Sequence, residues 1–594
     1  MTKRFMLISF LPALAMLILT ACGGGSATHG YDDTAYDNAL STPHEDVSAG
    51  SNSPLPTLVE HIDDIATFPS LHITSYYDPF IQEREFWHDG TVALTGAPEG
   101  FNFEPVDARF RGRGNSTWWM GPDKRPLRIR FRTPQPLMSD YEARDWILLA
   151  NQFDRSLLRN YSAFYLGQLL DGLGFTPTPH HVHLYINGEY VGVYTLTDER
   201  NTGPGRLYLE WHEDPAQSDF FLELDARAYR TGILDETYVT VNSLHYDLRY
   251  PNDLSPAHVD YVRAYITAVS NAIRHQSFED VLALIDLDSF VDFYIVQEFY
   301  KDVDARDLSI FMHITGTGDN RRLFKGPIWD FDLAAGNSKY QPLGYGPEGL
   351  YVAVFNYWYR YLMNRPEFFE AVQNRWNEIR NREIAQTIER IRFVSQRYQH
   401  EFERNFERHP DVFGREQMPT PQEILEIDYF MGHVEHLINW LETRANWMDD
   451  YFNGRLPDYD RMWALVEFQA NIAPISFVVN GEPHELSIPA VSMHNRVMVA
   501  LQELEAIFGV SIDYDLTVAG SIAIYHHHVS VTHQTGDLFI MVNGTRIDFD
   551  MPTALLIRDY IFVPLHVFID AFGYDVHWDN DTRTVSIDFE RSTI

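Results

Sequence analysis

The sequence predicts an α+β fold with a β-rich N-terminal half, a helical C-terminal half and a small duplicated β-rich module at the end. Three observations carry this: apolar residues alternate with period two up to Pro251, recur at i, i+3, i+4 beyond it, and repeat at an offset of 64 near the C-terminus. At 594 residues, 45% hydrophobic and 14% aromatic, the chain can bury several cores. Its 46 basic against 84 acidic residues give a formal charge of −38, which repels nucleic acid and anionic lipid, so any polyanion must be met by a local basic patch.

The first 22 residues read as an address. Lys3 and Arg4 form a positive start, residues 5–19 are apolar, and Leu19-Thr20-Ala21 leads into Cys22, the only cysteine. This resembles a bacterial lipoprotein signal, which implies export, lipidation of Cys22 and a lipid anchor on the outer face of the cytoplasmic membrane. With one cysteine there is no intrachain disulfide, so packing must supply the stability. Residues 23–56, rich in Gly, Ser, Thr, Asp and Asn, read as a disordered tether.

The folded part, 57–455, opens with alternating runs at 71–77 (LHITSYY) and 91–96 (TVALTG). ARFRGRGNSTW at 108–118 then leads through a Gly-rich turn to PLRIRF at 126–131, and the group reads as an antiparallel hairpin region. WILLANQFD (146–154) and RSLLRNYSAFYLGQLL (155–170) follow, with apolar residues at helical spacing. Asn187-Gly188 between two alternating runs at 181–198 is a strong hairpin signal, and FFLELD (220–225) and HYDLRYP (245–251) add strands. Helical spacing takes over at 258–273, 287–304 and 366–406. A ligand cleft between the two halves is the expected site.

The C-terminal module, 456–594, contains a duplication. VMVALQELEAIFGVSIDYD at 497–515 aligns with IFVPLHVFIDAFGYDVHWD at 561–579, each reading strand, short amphipathic helix ending at Gly509 or Gly573, then strand. It resembles the copper amine oxidase N-terminal (stalk-like) domain, which implies spacing or binding of a cell-envelope ligand and no copper chemistry. His526-His527-His528 reads as a surface strand, since neighbouring side chains on a strand point to opposite faces and no third ligand is in view.

Two segments carry candidate chemistry. RGRGNSTW at 111–118 offers cations and close backbone, and GPIWDFDLAAG at 326–336 offers paired carboxylates; a metal nucleotide needs both. Gly112 and Gly114 permit a tight turn, while Arg111, Arg113 and Lys124 can neutralise phosphate oxygens; a hairpin turn with solvated arginines is the plainer alternative. Asp330 and Asp332, at i and i+2 on an extended segment after a strand at 323–329, would point to one face and suit Mg2+ or Mn2+, unless one of them caps the segment that follows. Asp304, after an apolar helix and 26 residues before Asp330, stands at a gap comparable to that between a catalytic loop and a metal loop, although an aspartate after a helix is more often a solvated loop residue. Glu223 and Asp225 share a strand face and pair with Lys124 or Arg113, bind metal, or form a structural ion pair. Trp118, Trp119 and Trp329 can sandwich adenine, although large aromatics are more often core.

These motifs, in order, resemble the spore-coat CotH kinase family: Arg111 to Trp118 with Asn115, Lys124-Arg125-Pro126, Trp146, Asn151 and Asp154, Arg159-Asn160, the hairpin 185–194, Glu223-Leu224-Asp225, Glu298 with Lys301 and Asp304, and Trp329 to Asp332. The resemblance covers about 71–451. It implies a kinase-like fold, ATP with a divalent metal, and phosphorylation of Ser or Thr on exported or cell-surface proteins. It also implies Asp304 as catalytic residue, Asp330 and Asp332 as metal ligands, and Arg111, Arg113, Asn115, Lys124 and Glu223 in cofactor binding. The chain departs from the family's Asn-x-Asp at Asp302-Val303-Asp304, where the added carboxylate either strengthens metal binding or repels nucleotide. Ser309 stands where a metal-binding Asn is expected. A non-catalytic envelope protein keeping a kinase-like fold is the second reading.

Overall fold

The computed structural model describes residues 65–455, apart from 78–83, 85, 121–123, 204, 227–236, 243, 340–343 and 417. In the C-terminal module it describes 475–588, apart from 487, 489, 494–495, 516–520, 527–528, 535–538, 549–554, 558–559, 573 and 580–581. Cys22, the tether, His527 and His528 lie outside the described residues.

The alternating segments form seven strands: β1 (Ser70–Ser75), β2 (His88–Thr95), β3 (Phe103–Gly112), β4 (Leu127–Gln135), β5 (Ala143–Leu149), β6 (His180–Ile186) and β7 (Glu189–Asp198). The first four pair antiparallel with their neighbours in sequence, as the hairpin reading expects, and the whole sheet closes into a barrel in the order β1-β2-β3-β4-β5-β7-β6. Closure comes from β1 running parallel to β6, with Leu71 opposite Leu184 and Ile73 opposite Ile186. Leu94, Phe110, Ile129, Trp146, Leu148 and Leu196 fill the interior. The alternate residues Ile147, Leu149 and Val193 join a second, larger core with the helices. Burial on both faces explains why 146–150 reads as an unbroken apolar run; the segment is strand, and helix α2 (Arg159–Gln168) starts only later.

The Asn187-Gly188 hairpin forms as expected, with both residues at positive φ (48° and 84°), the requirement of a type I′ turn. Between β3 and β4 the chain makes a short helix, α1 (Ser116–Trp119), instead of a tight turn. Gly112 is obligatory there, since a Cβ would lie 2.1 Å from the Trp118 ring.

Beyond the barrel, β8 (Phe220–Leu224), β9 (Tyr238–Val241), β10 (Leu244–Tyr250), β11 (Ile310–Thr315) and β12 (Arg322–Lys325) make a second sheet ordered β12-β11-β8-β10-β9. The helical half supplies α3 (Pro256–His275), α4 (Leu287–Tyr300), α5 (Pro366–Ile379), α6 (Ala385–Arg397), α7 (Gln399–Arg408) and α8 (Phe430–Phe452). Ser255 caps α3 through a hydrogen bond from the His258 N–H, with Pro256 at the first helical position. Helix α4 has no separate polar face because nearly all of it is buried, Asp292, Gln297 and Glu298 included. The long periodic run at 366–406 is not one helix: a π-turn at Arg380–Ile384 and a break at Tyr398 divide it.

The duplicated units match in structure. Strand Arg496–Ala500, helix Leu501–Phe508 and strand Ser511–Asp515 correspond to Tyr560–Pro564, Leu565–Phe572 and Asp575–Asp579. Gly509 closes the first helix in the left-handed conformation expected of it. Leu504, Val563 and Phe568 pack in their shared core.

Candidate active site

Arg113 and the acidic segment come together. Its guanidinium stands 5.3 Å from the centre of the Trp329 ring, and Arg200, from the end of β7, stands 4.5 Å from the same ring. Burial and the charge of Arg200 lower Arg113 to about 10, against the pull of Glu199 and Asp330. Burial pushes Glu199 up, but Arg128, Arg200 and Arg113 outweigh it and hold its carboxyl at about 2. The result is a cationic shelf on an indole, next to Asp330.

The other basic residues take different places. Arg111 lies opposite Arg128 in the β3–β4 ladder and faces Trp87 at 4.7 Å, with Arg109 at 5.2 Å and Arg130 at 5.1 Å from that ring. Asn115 is exposed at the start of α1, where its carbonyl accepts from the Trp118 N–H (3.0 Å) and its side chain makes no cap bond. Lys124 is buried, donates to the Val193 carbonyl and lies 4.9 Å from the Tyr194 ring. Burial lowers its ammonium to about 7, opposed by Asp154. It lines a cavity of about 260 Å³ with Asp154, Arg155, Arg408, His409 and Arg415. That cavity is not lined by Arg113, Asp304, Asp330 or Asp332; it adjoins them through Asp154, whose charge acts on Asp332.

The segment carrying Asp330 and Asp332 is not extended. The strand expected to run to Trp329 ends at Lys325, Asp330 is left-handed (φ 73°), and Phe331–Leu333 is a 3-10 turn. Asp330 and Asp332 therefore do not share a strand face. Asp330 is half-buried and accepts from the Ser309 hydroxyl (3.2 Å), while Asp332 is buried. The turn is held from α2. The Asn160 side-chain oxygen accepts from the Phe331 N–H (2.7 Å), and Asn160 in turn donates to Asn151, which donates to Thr195 of β7. Arg159 donates to the carbonyls of Ala334 and Ala335 and pairs with buried Asp154 at 2.6 Å.

Asp304 sits half-buried on a 3-10 turn (Val303–Arg306) after α4. Asp302, which departs from the family pattern, is fully buried and caps that turn: its Oδ1 accepts from the Asp304 N–H (3.1 Å). Burial, and then Asp304, pushes Asp302 well above the carboxylate range; burial, Asp330 and Asp304 do the same to Asp332. The platform beneath is an ion pair between Glu298 and Arg444, both side chains fully buried, with Glu298 also accepting from the N–H groups of Tyr351 and Ala353. Lys301 is equally buried and donates to the Glu348 carbonyl.

Glu223, for which pairing with Lys124 or Arg113, metal binding and a structural ion pair were all open, forms an ion pair with Arg249. In register, Glu223 lies opposite Asp247, and Arg249, two residues on, reaches both carboxylates. Trp118 and Trp329 are core, as the plainer expectation had it; Trp119 is exposed.

A divalent metal fits the donor set but not as a closed shell. Asp304, Asp330 and Asp332 offer hard oxygens, burial and the charges of Asp330 and Asp304 push the Asp332 carboxyl up, and no Arg or Lys is bonded to Asp330 or Asp332 among the described residues. Among those residues, no three His, Cys, Asp or Glu side chains stand together as a formed metal site. Held by Asp330 and Asp332, a divalent cation would supply positive charge at this turn.

Sequence reasoning assigned no role to Arg200, Glu199 or Asn160. Asn160 left a faint signal, a polar side chain on an otherwise apolar helix face; Arg200 left none.

None of the curated proteins matches this chain. The copper amine oxidase N-terminal domain family matches residues 477–587, the duplicated module. The CotH kinase protein family matches residues 108–448, more than half of the chain and all of the residues gathered around Asp330. The chain belongs to the CotH kinase family.

Proposed function

We propose that the chain is an extracytoplasmic protein kinase with a kinase-like fold, transferring the γ-phosphoryl group of ATP to Ser or Thr hydroxyls of exported or cell-surface proteins. The observation that carries the reading is the Arg113–Trp329–Asp330 contact, which sets phosphate-neutralising cations against carboxylates suited to a divalent metal. Bound Mg2+ or Mn2+ would neutralise charge on the β- and γ-phosphates.

The residues divide the work. Asp330 and Asp332 hold the cation, with Ser309 and Asn160 fixing the turn between them. Arg113 and Arg200 face the phosphate oxygens, and Lys124 marks the adjoining basic cavity. Asp304 accepts the proton as the acceptor hydroxyl oxygen bonds to phosphorus and the bond to the bridging oxygen of ADP breaks. Asp302, buried and capping, serves the loop and adds little charge to the phosphate site. Export with lipidation at Cys22 places the enzyme at the outer face of the membrane, and the C-terminal module spaces it or binds an envelope ligand.

The test is transfer of label from γ-labelled ATP, with Mg2+ or Mn2+, by the exported chain to itself and to a Ser-rich acceptor. Asp304→Asn and Asp330→Ala should each lower transfer by about a hundredfold or more. Nucleotide binding without transfer would leave the non-catalytic envelope protein as the better account, and transfer unchanged by Asp330→Ala would remove Asp330 from the site.

A further inference from the structure

The sheet that joins the two copies of the C-terminal module is covered on both faces. Its strands run in the order Val491–Met493, Arg496–Ala500, Tyr560–Pro564 and Leu555–Ile557, with Val499 opposite Val563 and Ala500 opposite Phe562. Side chains alternate along a strand, so Val499 and Val563 share one face and Met498, Ala500 and Phe562 the other. The first pair fills the module's own core. Met498, Ala500 and Phe562 are also buried, but they belong to the larger core built by the helices. The module is therefore packed into the helical half, where strand Leu555–Ile557 lies against a short helix, Val352–Phe355.

That short helix is the second observation, because the residues at its two ends reach the Asp304 turn. The Tyr351 hydroxyl donates to the Val303 carbonyl (2.9 Å), and Asn356 Nδ2 donates to the Ala305 carbonyl (2.8 Å). Val303 and Ala305 flank Asp304, so the two bonds fix the backbone from which its carboxylate projects. Asn356 is itself held at its other atom, where Oδ1 accepts from the Trp358 and Tyr359 N–H groups. The N–H groups of Tyr351 and Ala353 bond to Glu298, near the end of the helix that leads into the turn. Segment 351–356 thus lies between the module on one side and the Asp304 turn on the other.

We propose that the C-terminal module is a working part of the catalytic unit, and that Tyr351 and Asn356 are positioning residues for Asp304. Packed on segment 351–356, the module keeps both donors on the turn, and loosening it lets Asp304 drift. The catalytic consequence rests on the kinase reading; the hold of the module on the turn is tested without it.

The experiment compares the whole exported chain with two variants, by amide hydrogen exchange and by phosphoryl transfer. Met498→Ala opens the docked face of the module, and Tyr351→Phe removes one donor to the turn. Each should speed exchange of the Asp304, Asp307 and Leu308 N–H groups, which bond within the turn, by about fivefold or more. Strand Ser521–His526, inside the module, should exchange as in the wild type, which separates a loosened turn from general unfolding. Transfer per folded chain should fall by about fivefold or more in both, with the KM for ATP within about twofold of wild type. Turn exchange within about twofold of wild type in either variant overturns the proposal, as does faster turn exchange with transfer unchanged. Where Met498→Ala fails to fold, Phe562→Leu, a milder change on the same face, is read by the same outcomes. A wild-type chain that transfers no phosphate removes the kinase reading, and the exchange comparison then decides the hold on the turn alone.

Discussion

Replacing Glu298 by Ala should be among the most damaging single substitutions outside the acidic turn. Its carboxylate takes three hydrogen bonds, from Arg444 Nη2 (2.8 Å), the Tyr351 N–H (2.7 Å) and the Ala353 N–H (3.0 Å), with no solvent contact at either charged side chain. Truncation leaves a buried guanidinium without its counter-charge, about 3–5 kcal/mol for a pair of this kind. Two buried N–H groups lose their acceptor as well, at about 1–3 kcal/mol each if no water enters. Arg444 keeps carbonyl partners at Glu298, Pro347 and Gly349, which places the expected loss toward the lower end, about 5 kcal/mol. Glu298→Gln keeps the shape and one acceptor and should cost about half as much. The assay is the midpoint of denaturant unfolding followed by fluorescence, at low and high salt; burial makes the effect insensitive to salt. A Glu298→Ala chain within about 1 kcal/mol of wild type, or a loss that salt erases, refutes the reasoning.

Asp302→Asn should leave stability unchanged or raise it, because an amide oxygen can accept from the Asp304 N–H while removing a buried carboxyl crowded by Asp304, whereas Asp302→Ala should lower the melting temperature by loss of the cap, about 1 kcal/mol. His181 is held neutral, its folded value lowered to about 3 by burial, so the unfolded chain binds its proton first as pH falls below 6.5. Stability then drops by about 1.4 kcal/mol per pH unit from this group down to pH 3, and His181→Phe should remove that slope in unfolding measured between pH 6.5 and 4. Gly112→Ala should destabilise by about 1–3 kcal/mol or more, read as a lower melting temperature with altered Trp emission, since the new methyl overlaps the Trp118 ring.

Local signals were legible and non-local ones were not. Asn187-Gly188 announced its hairpin because a type I′ turn depends on two adjacent residues, and the duplicated strand-helix-strand units were visible as self-similarity. The closure of β1 onto β6 joins residues over a hundred positions apart and has no local mark. Asp330 and Asp332 were identified as a pair, but alternation presumed a strand, and the left-handed Asp330 with its 3-10 turn is set by Asn160 and Arg159 of a distant helix. Of the readings open for Glu223, the ion pair is the one seen, but its partner Arg249 could not be named because strand register defines it. Asp304 was singled out by the family resemblance and its place before Asp330, while the Glu298–Arg444 pair at the end of the preceding helix needs α8, far along the chain.

The parallel pairing of β1 with β6 bears on how this protein can be divided. The family match starts at residue 108, inside β3, and leaves out β1 and β2 altogether. A fragment trimmed to the matched residues would carry half of β3 and present bare strand edges on β3 and β6, with the Leu71, Ile73, Val92 and Leu94 share of the barrel interior missing. Such edges recruit other chains, so the fragment should aggregate where a chain begun before Ser70 stays dispersed. The matched stretch and the stretch that closes the barrel differ by β1, β2 and the first half of β3.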